Sequence, residues 1–139
     1  MSNTIKHSPA YDLALFLVDQ GIGDFGGSND WCINVSGLPE APVNAVSLQD
    51  TPGFPPLHYN LQIKRPSLQV VIRGLNYLET YSRIDSINTL LLNNFDYRTD
   101  QFVYVGADSI SDVENIGKDE KGYFLFSANY TLIRQATIS

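Results

Sequence analysis

The clearest pattern of apolar and polar positions in the chain lies between residues 65 and 92. Side chains alternate over residues 68–73, which predicts a β-strand, because successive side chains of a strand point to opposite faces. The valines and isoleucine of this stretch also favour a pleated surface. One face of the strand is expected to be buried, and it carries Leu68, Val70 and Ile72.

A helix is predicted directly after this strand. Gly74 ends the alternation, Asn76 can cap the first turn, and Glu79 stands where a capping-box carboxylate belongs. Large apolar residues then recur at a spacing that draws one stripe along a helix. Burying such side chains stabilises a fold by roughly 1.5 to 3 kcal/mol each, so the helix must lie on a sheet or on another helix. The stripe consists of Tyr77, Tyr81, Ile84, Ile87 and Leu91.

Shorter patterns predict the remaining elements. Ser8 followed by Pro9 is typical of a helix start, and this first helix should end near Gly21. Two short strands come next and are interpreted as a hairpin, while GKDEKG is a predicted turn between the last two strands. The predicted strands besides the central one are 31–36, 45–49, 101–106, 110–116 and 124–132.

These elements predict one domain, residues 1–139, of the α+β class. Its mainly antiparallel β-sheet has two helices packed on it, in the order α-β-β-(long loop)-β-α-β-β-β. The loop, at about 51–66, contains four prolines and should be mobile, because proline cannot donate to a sheet. Phe54, Leu57 and Tyr59 are unusual in a solvated loop and are therefore predicted to form an interface.

Charge and composition narrow the possible functions. Fifteen acids against nine bases give a formal charge of −6, which argues against a protein that grips nucleic acid through its phosphates. A single cysteine excludes an internal disulfide framework. The N-terminal stretch lacks a signal-peptide core, and no apolar run approaches the ~20 residues of a membrane span, so we expect a protein made in the cytoplasm.

Motifs for catalysis or metal binding are weak. Residues 21–26 match G-x-G-x-x-G, but they follow a helix instead of a strand and are interpreted as a flexible loop. His7, His58 and Cys32 stand at no metal-ligand spacing, and Cys32 is expected to be a small core residue. The sequence therefore predicts no catalytic residue, no metal site and no cofactor.

Three segments carry a distinctive succession of turns, strands and a helix. GLPEAPVNAVSLQDTPGFPP has a proline-and-asparagine turn before a strand that ends in a glycine turn. RPSLQVVIRGLNYLETYSRIDSINTLL has an extended segment, Arg-Gly and a helix with tyrosines, and GKDEKGYFLFSANYTLIR has a Gly-x-Asp-Glu turn before a Phe-Ser-x-Asn strand. In this order they resemble the tail terminator proteins of long-tailed bacteriophages, a family also called tail-completion or minor capsid proteins.

The resemblance covers almost half of the chain. Pro52 departs from the family pattern, which has a second glycine at the first turn. The positions that match are Pro42, Asn44, Asp50, Thr51 and Gly53; then Val70, Arg73, Gly74, Tyr77 and Tyr81; and finally Gly117, Asp119, Glu120, Phe126, Ser127 and Asn129.

The resemblance implies a structural virion protein of the phage neck, without enzyme activity or cofactor, assembled in the host cytoplasm. Its subunits would form a homo-oligomer, a hexameric ring that caps the tail tube, ends its polymerisation and forms the tail-side surface for head-tail joining. The partners would be the tail tube protein and the head-completion (stopper) protein. Two alternatives are a stopper ring one layer up, and a small cytoplasmic domain that binds a peptide or ligand through the 51–66 loop.

The ring also implies a channel through which DNA passes without specific binding. Such a conduit should repel phosphates weakly and hold none, which favours a lining of acidic or neutral polar side chains. The predicted lining residues are Asp108, Asp112 and Glu114. These three could also converge on a cation, but their spacing fits no known loop, and a solvated acidic edge is the favoured alternative.

Overall fold

The computed structural model describes residues 5–26, 31–54, 63–93 and 95–136. Within them, the strands form one seven-stranded sheet in the order β1-β2-β3-β4-β7-β6-β5. Neighbouring strands are antiparallel except for the parallel pairs β1–β2 and β2–β3, which confirms the predicted α+β class. The elements are α1 Pro9–Asp19, β1 Asp24–Phe25, β2 Cys32–Val35, β3 Ala45–Phe54, β4 Ile63–Gly74, α2 Tyr77–Leu92, β5 Tyr97–Arg98, β6 Phe102–Lys118 and β7 Phe124–Ala136.

Both helices begin at the predicted caps. The Ser8 hydroxyl accepts a hydrogen bond from the Tyr11 amide, and the Asn76 side chain accepts one from the Glu79 amide. The Glu79 carboxylate also accepts from the Trp31 indole N–H at 3.1 Å. Glu79, which was predicted as a capping residue, therefore also connects α2 to Trp31, just before β2.

The two helices cover the same face of the sheet. Tyr104 of β6 donates to Asp12 of α1, and Tyr130 of β7 donates to Asn88 of α2, each at 2.6 Å. Between the helices and the sheet lies one apolar core, to which β4 and β7 contribute alternate residues. Those residues are Leu68, Val70 and Ile72 of β4, as predicted, and Phe126, Ala128, Tyr130 and Leu132 of β7.

The predicted apolar stripe of α2 is correct over its C-terminal part. Ile84, Ile87 and Leu91 are fully buried, whereas Tyr77 and Tyr81 are 44% and 43% exposed. Both tyrosine rings contact Phe126, with centroids 5.7 and 5.8 Å away, while much of each ring remains accessible to solvent. The first two turns of α2 therefore lie over the margin of the core instead of its centre.

The predicted hairpin of the first two strands is wrong, because β2 and β3 are parallel. The connection at residues 36–44 returns the chain to the end of the sheet where β2 began. It is held there by Arg73 of β4, which donates hydrogen bonds to three carbonyl oxygens of the connection. These belong to Pro39, Pro42 and Val43.

The predicted long loop at 51–66 is also too long. β3 continues to Phe54 and β4 begins at Ile63, so both ends of the predicted loop are strands. The register shifts between Thr51 and Phe54, around Pro52 and Gly53, and this irregularity accommodates the proline. Residues 55–62 lie outside the described part of the chain.

The two strands predicted at 101–106 and 110–116 are one strand, β6. Its pairing with β7 continues through the polar stretch between them, with four shifts of register. The following turn is as predicted. It is closed by the Asp119 carboxylate, which accepts hydrogen bonds from the amides of Lys121 and Tyr123, both at 2.9 Å.

Candidate functional site

The sheet face opposite the helices carries mostly polar side chains, of which Ser47, Ser67, Ser127 and Thr131 are buried. Paired residues on antiparallel strands point to the same face, so the registers of β3, β4, β7 and β6 align side chains into rows across the sheet. Three such rows form what we call the polar sheet face. They are Ser47, Val71, Ser127 and Glu114; Gln49, Gln69, Asn129 and Ser111; and Thr51, Ser67, Thr131 and Asp108.

Most of the polar sheet face is uncharged. Nine of its twelve residues are neutral and polar, two are acidic, and none is lysine or arginine. Some of its groups bond to each other across strands: the Ser67 and Thr131 hydroxyls lie 3.2 Å apart, and Asn129 donates to the Ser111 hydroxyl at 3.2 Å. These twelve residues offer no cation to a phosphate group, and the nearest arginines on the same face of β4 are Arg65 and Arg73, at the two ends of the rows.

The three predicted lining residues are exposed on β6, but the structure does not bring them together as one group. Asp108 and Glu114 end the two outer rows of the polar sheet face. Asp112 lies in the bulge between Ser111 and Glu114, where the register assigns it no partner on β7. Its carboxylate and that of Asp85 add to the effect of burial, which is the main reason that the pKa of Tyr130 is raised.

The Arg-Gly pair after the central strand has a structural role that the sequence did not reveal. Arg73 is buried, and its guanidinium is occupied by the carbonyl oxygens of the 36–44 connection. A Cβ atom at Gly74 would lie 1.9 Å from the Thr80 hydroxyl oxygen, so only glycine fits at that point. A cavity of about 220 Å³ beside Arg73 is therefore not an anion site built on its guanidinium.

A buried polar network holds the segment before α1. Asp12 is fully buried, and its two carboxylate oxygens bond to the His7 imidazole at 3.0 Å and to the Tyr104 hydroxyl at 2.6 Å. Arg134 donates to the backbone carbonyl of His7 at 3.1 Å. Burial and the bond to Asp12 raise the pKa of Tyr104. The network fastens residues before α1 to β6 and β7.

The residues considered for metal binding or nucleophilic chemistry do not form a centre. Cys32 is buried, as predicted, and the Asn34 amide nitrogen lies 3.1 Å from its sulfur. No cluster of three or more His, Cys, Asp or Glu side chains able to hold a metal ion occurs within the described ranges. His58 lies outside those ranges. Neither described helix is long and apolar enough to cross a membrane.

The predicted interface of Phe54, Leu57 and Tyr59 stays a prediction. Phe54 is the last residue of β3, and the other two lie outside the described residues. The mobility predicted for this region is likewise untested.

Fold and surface together define a small α+β protein with a polar face on the side of the sheet opposite the helices. Residues 16–136 match the family model of the bacteriophage tail terminator protein. The chain therefore belongs to the bacteriophage tail terminator family, which confirms the predicted resemblance, and its role is that of a structural protein of the phage tail. A search of curated proteins finds no match to the chain.

Proposed function

We propose that this protein forms a hexameric ring in the phage neck, which caps the tail tube, ends its polymerisation and forms the tail-side surface for head-tail joining. The observation that carries the proposal is the family match over residues 16–136. The ring's partners are the tail tube protein on one side and the stopper protein on the other. The work is mechanical and uses no cofactor.

The composition of the polar sheet face is suited to the wall of a channel through which DNA passes. A conduit must let the duplex slide, so its wall should form few lasting contacts with phosphates. The polar sheet face meets this need, because its side chains are neutral or, at Asp108 and Glu114, acidic. We assign it to the channel wall, with the two helices on the outside of the ring and Asp112 at the margin of the wall.

Tail length tests the proposal most simply. In infections with a phage that lacks this protein, the tube has no end-stop, so tails should be longer than normal, vary in length and fail to join heads. Expression of the wild-type chain from a plasmid should restore uniform tails and infectious particles. Tails of normal length in the absence of the protein would contradict a terminator role.

The same experiment separates the alternative of a stopper ring. Loss of a stopper leaves the end-stop in place, so tails would be finished at normal length while heads remained unjoined. A ligand-binding domain would give a third result, in which the purified chain stays monomeric at high concentration and tail assembly is unaffected.

A further inference from the structure

We draw no further inference here: the strongest candidate, the side-chain cluster just before β2 in which Glu79 and Arg83 of α2 contact Trp31 in its left-handed backbone conformation, carries nothing because these contacts stabilise the one state that the structure shows and nothing in the structure indicates a second state or what would release it.

Discussion

β6 and β7 are paired neighbours in one sheet, yet their residues are used differently. β7 pairs with β4 without a shift of register, and its alternate residues Phe126, Ala128, Tyr130 and Leu132 are buried under the helices. β6 pairs with β7 through four shifts and exposes Val105, Ile110 and Ile116. Regular pairing with β4 aligns the core residues of β7, whereas the shifted pairing of β6 with β7 leaves three apolar side chains of β6 exposed.

Truncating a buried apolar residue to alanine should reduce stability far more than truncating an exposed one, and this is the largest effect we expect. Phe126→Ala and Ile84→Ala should each lower the free energy of unfolding by about 2 to 5 kcal/mol, because both side chains are buried and leave a cavity. Ile116→Ala on β6 should change it by less than about 0.5 kcal/mol. Urea unfolding of the subunit measures all three. If Ile116→Ala and Phe126→Ala lowered the free energy of unfolding equally, the proposed difference between exposed β6 residues and buried β7 residues would be wrong.

This contrast also shows what the sequence could predict. The β4 strand with its buried face and the caps of both helices follow from local spacing, and each was predicted correctly. The bulges of β6 were missed, because Gly106 and the polar residues after it resemble a break between two strands. Only pairing with β7 reveals that the strand continues.

Long-range contacts explain why the sequence missed other features of the fold. The connection between the parallel strands β2 and β3 is hydrogen-bonded to Arg73, which lies more than thirty residues from the carbonyl that it binds at Pro39. The polar sheet face was missed for a similar reason. The sequence alternates polar and apolar residues over 124–132, which indicates a polar face on this strand. Only the registers show that four strands share that face, and two of its β7 residues, Ser127 and Thr131, are buried.

A second prediction extends the comparison to β4, on the other edge of β7. Arg73→Lys should lower the free energy of unfolding by about 1 to 3 kcal/mol, because one ammonium group cannot satisfy the three carbonyl oxygens that the guanidinium binds. Faster amide hydrogen exchange at residues 36–44 should accompany the loss. Arg98→Lys, on exposed β5, is the control and should leave both quantities unchanged.

A third prediction concerns the charge of β6 on the polar sheet face. Asp108→Lys with Glu114→Lys should make the ring retain duplex DNA, with each lysine that engages a phosphate adding about 0.9 to the slope of log affinity against log salt. Asp19→Lys with Asp85→Lys makes the same change of charge on the helices and should not retain DNA. If rings of the sheet-face variant and of the helix variant retained DNA equally, the polar sheet face would not line the path of the DNA.

The smallest expected effect is the pH dependence that Tyr130 of β7 gives to the stability of the fold. Burial raises its pKa above the ordinary value of 10.0, so above pH 10 the unfolded chain loses the proton before the folded one does. Stability from this group is therefore complete below pH 10 and falls as the pH rises further. Tyr130→Phe loses the bond to Asn88, worth about 1 kcal/mol, at neutral pH. The difference in unfolding free energy between this variant and the wild type should narrow when unfolding is measured at pH 11, and an unchanged difference would contradict the raised pKa.

An electron cryo-microscopy map of the neck in intact particles tests the central claim most directly. The account predicts a ring of this chain seated on the last ring of the tail tube, with the polar sheet face, including Asp108 and Glu114, toward the channel. A map in which α1 and α2 line the channel, or in which this chain occupies the layer next to the head, would contradict it.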